Sequence, residues 1–343
     1  MGAIPVDSQD ILPVGKLPPD VLQRLLAQVP APDPRVLVGP GVGMDCAVID
    51  LGATCLVLKS DPITFASDAI AWYAVQVNAN DLAVFGAEPR WLMATLLLPE
   101  GAARESQVEQ IMADLLQACE PLGISLVGGH TEVTYGLPRP LMVCTLVGEV
   151  SRYCLVTPSG ARAGDRLLLT KGVPIEATAI LAREAPAALE AFLSPAEIKR
   201  AENFLYDPGI SVVRDARLAL ASGEVHAMHD PTEGGLLGAL WELAQASGKR
   251  LQVDLSAVPI PALARRICSS LAIDPYAAIS SGALLLSVAA ADADRIAHSL
   301  EAAGIVCRSI GQVDEGTPAV VGMDSQPLAQ PGRDEIARWF SGQ

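Results

Sequence analysis

The spacing of apolar residues changes twice along the first part of the chain. Residues 1–34 are rich in proline and contain one amphipathic piece, residues 19–28, whose leucines recur at helical spacing. From residue 36 to residue 61, short apolar runs alternate with glycine-containing turns, which is typical of strands. The apolar stretch 67–85 then predicts a long helix. We therefore expect a leader segment, residues 1–34, in front of a folded body.

Beyond residue 85, predicted helices and strands alternate through both halves of the chain. The predicted strands are residues 91–98, 124–127, 141–147, 166–170, 225–228, 251–254, 284–288, 305–310 and 319–321. The predicted helices are residues 106–121, 175–183, 195–204, 212–222 and 234–247. A turn-rich break at residues 150–164 separates two such series. The pattern predicts an α/β (α+β) fold of two domains, residues 35–152 and 153–343.

The composition agrees with two compact domains. A chain of 343 residues exceeds the usual size of a single domain. Half of the residues are hydrophobic but only 4% are aromatic, so the cores must consist mainly of Ala, Val, Leu and Ile. Such side chains suit helices packed on sheets.

The charge limits the possible partners. The formal net charge is −15, from 24 Lys and Arg against 39 Asp and Glu. Because this field repels phosphate backbones and anionic lipid surfaces, we expect neither nucleic acid nor a membrane as a partner. An acidic protein binds a polyanion such as ATP when a bound cation carries the opposing charge, which requires several convergent carboxylates.

The cysteines and the N-terminal residues indicate a compartment. Seven cysteines occur without a C-x-x-C pair, and most are expected to be small buried side chains. The first residues contain no basic segment followed by an apolar run, so no signal peptide is expected. A reducing cytoplasm is the simplest location.

Four polar clusters in the first half could gather ligand groups, because each lies near the predicted end of a strand or helix. They are residues 39–45, 59–61, 78–81 and 128–132. In the first cluster, Gly41 and Gly43 would let backbone N–H groups approach phosphate oxygens closely. The cluster matches neither the Walker A loop nor the dinucleotide fingerprint, and a plain tight turn is the alternative.

The cluster at residues 78–81 interrupts an apolar helix with Asn78, Asn80 and Asp81. At about 100° per residue these three side chains cannot all point to solvent, so a binding role is one interpretation. The alternative is a polar helix face or a cap. Asp45 and Asp61 could equally be solvated carboxylates at strand ends.

The histidines leave several interpretations open. His130 could be a metal ligand, a base or a hydrogen-bonded turn residue. His226 and His229 lie three positions apart near a predicted strand, so they face opposite sides and make a poor metal pair. After His229, Thr232 could cap a helix whose first N–H groups receive an anion, or the segment could be a capped helix only.

Taken together and in this order, these segments resemble the superfamily of aminoimidazole ribonucleotide synthetase, selenophosphate synthetase, thiamine-monophosphate kinase and the hydrogenase-maturation protein HypE. The resemblance covers about residues 36–311, and its most specific parts are residues 77–89, 128–132, 229–236 and 281–284. It implies a PurM-like fold, with an N-terminal domain that dimerises through its sheet and a C-terminal α/β domain. It also implies ATP at the cleft, with Mg²⁺ bridging the phosphates.

The resemblance assigns roles to individual positions. The implied metal ligands are Asp45, Asp61, Asp81 and Glu132. The implied nucleotide-binding residues are Gly41, Gly43, Asn78, Asn80, Gly128, Gly129, His130 and Thr131. The implied catalytic residues, facing the reacting end, are His229, Asp230 and Glu233. Oxygen ligands of this kind suit Mg²⁺.

Within the superfamily the motifs resemble those of HypE most, because the first cysteine, Cys46, is too far along for the reactive residue of selenophosphate synthetases. HypE activates an amide-type oxygen with ATP on its own C-terminal cysteine, whereas this sequence ends in Gln343. We therefore expect a HypE-like homodimer that acts on a small-molecule or protein-borne amide-like substrate. The alternative is a catalytically silent nucleotide-binding assembly or regulatory protein of hydrogenase or metal-cofactor maturation.

Overall fold

The computed structural model describes residues 17–30, 33–41, 43–64 and 68–342. Parts of three predicted features lie outside these residues: most of the leader, Val42 of the glycine-rich cluster, and the first residue of the predicted helix, Ser67. The described part of the leader forms the helix α1 (Pro19–Leu26), and none of its described side chains is buried.

The N-terminal half forms one mixed sheet, which has six strands within the described residues. They are β1 (Val36–Val38), β2 (Ala47–Asp50), β3 (Thr54–Ile63), β4 (Glu88–Pro99), β5 (Ser125–Thr134) and β6 (Leu141–Ser151). Their order is β1-β2-β3-β6-β4-β5, and every pair is antiparallel except β4 with β5. Strand β5 therefore lies at an edge of the sheet.

Two helices cover one face of this sheet, α2 (Ile70–Val84) and α3 (Glu105–Cys119). Alternate residues of β4, such as Leu92, Leu96 and Leu98, are buried beneath them. On the opposite face Trp91 is 39% exposed and Met93 is 45% exposed. The helix α2 is apolar around most of its circumference, which suits its buried position between the two halves of the protein.

The C-terminal half forms a second sheet, again with six strands in the described part of the chain. They are β7 (Arg166–Thr170), β8 (Val225–His229), β9 (Arg250–Val253), β10 (Leu285–Val288), β11 (Cys307–Asp314) and β12 (Ala319–Gly322). Their order is β12-β9-β11-β7-β10-β8, and only β12 with β9 is parallel. The central strand β7 is almost continuously apolar and buried on both faces.

The described C-terminal half also contains helices, and some of them pack on the two faces of the second sheet. The helices are α4 (Ile175–Glu184), α5 (Pro186–Leu189), α6 (Pro195–Glu202), α7 (Val213–Ser222), α8 (Gly235–Ser247), α9 (Ala262–Leu271), α10 (Ala293–Ala302) and α11 (Glu335–Phe340). Helix α8 covers one face through Leu236, Leu240 and Leu243. The opposite face lies against α7 and α10, and its core is continuous with the core beneath α2.

The structure confirms a mixed α/β fold with two sheets and corrects some of the predicted elements. The cluster at residues 128–132 lies inside β5 and not after a strand, because the long strand β4 supplies pairing partners as far as Thr134. Likewise Asp61 lies within β3, which continues to Ile63. Helices α5, α9, α10 and α11 were not predicted. The predicted division at residues 152 and 153 stays a prediction, although β6 ends at Ser151 and β7 begins at Arg166.

The structure also shows the state of the cysteines and the character of the helices. All seven cysteines are free thiols, and six of them are buried. Within the described residues, no helix combines the length and the apolar character needed to cross a bilayer.

Candidate active site

Strand β3 directs a lysine and an aspartate toward helix α2. Lys59 and Asp61 are two residues apart, so both side chains lie on the helix-covered face of the sheet. The Lys59 Nζ lies 3.0 Å from Asp81 Oδ2 and 3.2 Å from Asp61 Oδ2. Lys59 therefore joins a carboxylate of the sheet to a carboxylate of α2.

The asparagines of α2 point to two different neighbours. Asn78 accepts a hydrogen bond from the Asp61 backbone N–H at 3.2 Å and donates to Ala74 O at 2.8 Å. Asn80 donates to Ile210 O and accepts from the Val212 N–H, both at 2.8 Å. Both side chains are fully buried. Asn78 thus fixes the end of β3, and Asn80 connects α2 to the C-terminal half.

Residues from both halves converge beside Asp81. One ligand atom each from Asp45, His229 and Asp230 lies within 4.8 Å of the other two. Asp45 directly precedes Cys46, whose Sγ donates to Asp81 O at 3.3 Å, so the start of β2 is held against α2. His229 is the last residue of β8, the edge strand of the second sheet that α2 contacts, and Asp230 directly follows it.

His229 is oriented by contacts at both of its ring nitrogens. Its Nε2 lies 2.9 Å from Glu242 Oε2 and 3.9 Å from Asp45 Oδ2, and its Nδ1–H donates to Asp230 O at 3.1 Å. Burial would lower the pKa of His229, but Glu242 and Asp45 outweigh this effect and raise the pKa to about 10. The neighbouring carboxylates therefore favour the protonated form of this imidazole.

The pKa values of several side chains in the cluster are shifted strongly from their usual values. Burial raises the pKa of Asp81 well above its usual range, Asp230 and Asp45 raise it further, and Lys59 opposes the shift. Burial and the charge of Asp45 raise the pKa of Asp230 to about 7, against the opposing effects of His229 and Lys59. For Lys59, burial lowers the pKa, but the attraction of the three carboxylates Asp81, Asp45 and Asp61 raises it overall.

Several buried oxygen atoms of this cluster accept no hydrogen bond within the described part of the chain. They are Asp45 Oδ2, Asp81 Oδ2, Asp230 Oδ1 and Asp230 Oδ2. The contact of Asp81 Oδ2 with Lys59 is an ion pair that lacks the alignment of a hydrogen bond. Buried carboxylate oxygens without hydrogen bonds are costly, and a hard cation bound by oxygen ligands removes that cost. The arrangement therefore fits a divalent cation.

The segment from Asp230 to Gly235 differs from the expected capped helix. Helix α8 begins at Gly235 with Gly234 as its N-cap, and the Thr232 side chain makes no cap hydrogen bond. A Cβ on Gly235 would lie 2.6 Å from Ala278 O, so only glycine allows this close approach. Glu233 is half-buried in this loop. The expectation that Thr232 caps α8 is therefore wrong, because the turn places Gly234 at the cap position.

The predicted group on β5 does not join this cluster within one chain. In the sheet, Asp61, Cys144, Ala94 and Gly129 lie in one row across β3, β6, β4 and β5. Three strand spacings correspond to about 14 Å. The predicted residues of this group are Gly128, Gly129, His130, Thr131 and Glu132.

Strand pairing explains one glycine of this group, because a Cβ on Gly129 would overlap Ala94 O. His130 Nε2 lies 3.0 Å from Glu132 Oε2, and both side chains are exposed. By contrast, Gly41 and Gly43 lie in the turn just before Asp45, and Gly43 has a φ of 75°, which favours glycine. Of the two predicted glycine pairs, only this one therefore lies beside the buried carboxylates.

Sequence reasoning assigned no role to two charged side chains of the cluster. Lys59 had a local signal, since a lysine two residues before Asp61 on a strand shares its face. Glu242 had none, because it lies 13 positions after His229 on a helix and reaches it only through the packing of α8. Asp230, predicted to be catalytic, lies among the candidate metal ligands.

Both halves of the chain are similar to known proteins. The family described as AIR synthase related protein matches with its N-terminal domain at residues 43–150 and its C-terminal domain at residues 162–324. The chain is 29% identical over 286 residues to carbamoyl dehydratase HypE of Cupriavidus necator, covering 82% of this chain and 77% of that protein. It is 33% identical over 257 residues to selenide, water dikinase of Geobacter metallireducens, covering 70% of this chain and 67% of that protein.

The fold is also similar to that of solved structures over most of the chain. A crystal structure of hydrogenase maturation protein HypE in complex with ATP superposes with a TM-score of 0.68 at 23% identity, covering 93% of this chain and 91% of that chain. This similarity concerns the arrangement of both sheets and their helices.

Proposed function

Because the chain belongs to the AIR synthase related protein family, we propose that it uses ATP and Mg²⁺ to phosphorylate the oxygen of an amide-like substrate. The observation that carries this proposal is the convergence of Asp45, Asp81 and Asp230 from both halves, with buried oxygens that accept no hydrogen bond in the described residues. The relatives support it, since one is named a carbamoyl dehydratase and HypE forms a complex with ATP.

Asp45, Asp81 and Asp230 would hold the metal, with Asp61 at the margin of the site through Lys59. Carboxylate oxygens are the ligands that Mg²⁺ takes in proteins together with phosphate oxygens and water. Bound there, Mg²⁺ would supply charge neutralisation for the triphosphate. The backbone of the turn with Gly41 and Gly43 precedes Asp45 and would approach the phosphates.

Two cationic side chains would orient the carboxylates. Lys59 keeps Asp61 and Asp81 in place through its two ion pairs. His229, whose Nε2 lies between Glu242 and Asp45, would add a second positive charge beside these carboxylates and so help to stabilise negative charge on the transferred group. Positioning and electrostatic stabilisation would thus dominate the reaction.

The half-buried Glu233 would position the acceptor, because its loop continues directly from Asp230. We assign residues 35–152 to ATP binding and dimerisation and residues 153–343 to the C-terminal domain. The similarity to carbamoyl dehydratase HypE supports a related role, for which we propose a small-molecule or protein-borne amide as substrate. A cytoplasmic location stays a prediction.

ADP release across a panel of acceptors tests the proposed function. We expect Mg²⁺-dependent ADP formation to rise with one class of amide-like acceptor among amides, formamidines and carbamoylated peptides. Thiamine monophosphate and selenide serve as controls for the kinase and dikinase activities of the superfamily. Tight ATP binding without ADP release for any acceptor would contradict the enzymatic proposal and favour the binding-only alternative.

We also propose a homodimer formed through the uncovered face of the first sheet. The register places Trp91, Val147 and Leu58 in one row on that face, beside Met93. Since this apolar surface is contiguous across three strands, burial against a second copy would stabilise it. In such a dimer the edge strand β5 would present His130 and Glu132 to the carboxylate cluster of the second copy.

A charge in the centre of this face should separate the subunits. We expect Trp91→Glu to convert a dimer into a monomer at micromolar concentration, as measured by light scattering, because the glutamate cannot be buried unpaired. The exposed Tyr153→Glu, outside this face, should leave the dimer intact. A wild-type monomer, or a dimeric Trp91→Glu protein, would contradict the assignment of this face.

A further inference from the structure

The loop that carries Asp230 and Glu233 is fastened from the C-terminal end of the described chain. Asp334 Oδ2 accepts a hydrogen bond from the Gly234 N–H at 2.8 Å. Its Oδ1 accepts from the Ile336 N–H, also at 2.8 Å, and thereby caps helix α11. A single carboxylate therefore links the start of α11 to the start of α8 with both of its oxygens.

Helix α11 is a fixed support for this contact. The Glu335 N–H donates to Ala277 O at 3.2 Å, and Glu335 Oε2 accepts from the Asp274 N–H at 3.0 Å. Ile336 is buried. Because α11 is tied in two places to the segment 274–277, Asp334 has little freedom to move away from Gly234.

The same segment holds α8 directly. Tyr276 O accepts from the Leu237 N–H at 3.0 Å, and the close approach of Gly235 to Ala278 O leaves no room for a side chain. The start of α8 is therefore held by acceptors of this chain, Asp334 among them. Asp334, which lies 100 positions from Gly234 in the sequence, thus places a carboxylate at the start of α8.

We propose that Asp334 is a positioning residue that holds Asp230 and Glu233 in the geometry needed for phosphoryl transfer, an inference that rests on the proposed function. Asp230 and Gly234 are separated by only three residues, so movement of Gly234 is transmitted to Asp230 and Glu233. Displacements of about 1 Å at reacting groups lower rates by about 100-fold. Asp334 acts through this loop, because its carboxylate accepts hydrogen bonds from the backbone N–H groups of Gly234 and Ile336.

Two substitutions separate the two bonds of Asp334. In Asp334→Ser a single hydroxyl can still cap α11 through the Ile336 N–H but cannot also reach Gly234. In Asp334→Asn the amide has only one acceptor oxygen for two N–H donors. Ser194→Ala, which removes the capping box of the surface helix α6, is the matched control for the loss of a cap.

The measurements are ADP formation from Mg·ATP, calorimetric affinity for Mg²⁺ with a non-hydrolysable ATP analogue, and hydrogen exchange. For Asp334→Ser and Asp334→Asn we expect turnover to fall about tenfold or more and Mg·nucleotide affinity to fall by a smaller factor, because Asp230 stays present as a ligand. In Asp334→Ser, amide exchange should rise at residues 234–238 and stay unchanged at residues 335–340. Ser194→Ala should match the wild type in all three measurements.

The outcomes separate this inference from the proposed function. Wild-type protein that neither binds nor hydrolyses Mg·ATP overturns the proposed function and, with it, the catalytic part of this inference. Wild-type turnover with unchanged turnover in both Asp334 variants overturns the positioning role alone. Equal losses in Ser194→Ala would show that any lost cap has the same effect, and would also overturn it.

Discussion

Asp81→Asn, Asp45→Asn and Asp230→Asn are each expected to lower the affinity for Mg·ATP by about 100-fold or more. Each change replaces a charged oxygen ligand by a neutral amide of nearly the same shape, so the fold should be retained. The lost charge faces the cation, and Lys59 and His229 would then repel the metal with fewer carboxylates to offset them.

Calorimetry with and without Mg²⁺ measures this effect. Asp50→Asn is the control, because Asp50 ends β2 in the same sheet and pairs with Arg152 away from the cluster. Affinity for ATP in the presence of EDTA should change little, since the carboxylates act through the metal. Unchanged Mg·ATP affinity in all three variants would remove these residues from a metal site and leave the buried oxygens without an explanation.

The sequence predicted the two-sheet fold and most of the regular elements, because their apolar periodicity is strong. It did not predict α9 and α10, because the buried face of each helix consists of only a few side chains. In α9, for example, these are Ala264, Ile267 and Cys268. It also ended β5 at residue 127, because the following glycines indicate a turn when they are considered in isolation. Only the pairing with β4, a non-local property, keeps the strand extended through Gly129.

Parts of the candidate site could be predicted where the spacing of residues along one helix or strand decides the direction in which their side chains point. The helix period separates Asp81, which faces Lys59, from Asn80, which faces the other half of the protein. The meeting of Asp45 with Asp230 could not be derived from local sequence, because 185 positions separate them and the packing of the two halves brings them together. The resemblance to a family placed them in one site, although it gave Asp230 a catalytic role.

Asn80, which was predicted to bind the nucleotide, has a structural role that can be tested separately. Its amide donates to Ile210 O and accepts from the Val212 N–H, with no exposed surface left for a ligand. These two backbone groups belong to the segment that leads into α7, which packs on α2. The side chain therefore satisfies two buried groups at the junction of the two halves.

Asn80→Ala should destabilise the protein by about 3 kcal/mol, because it leaves a buried carbonyl and a buried N–H without partners, at roughly 1–3 kcal/mol each. Urea denaturation followed by circular dichroism measures the change, and Asn203→Ala, at an exposed position, should have an effect within about 0.5 kcal/mol. If Asn80 instead bound the nucleotide, Asn80→Ala would weaken ATP binding and leave the free energy of unfolding unchanged. A loss of stability accompanied by retained Mg·ATP affinity at low temperature would assign Asn80 to the junction, and would leave Asp81, one residue further along α2, as the group that faces the metal.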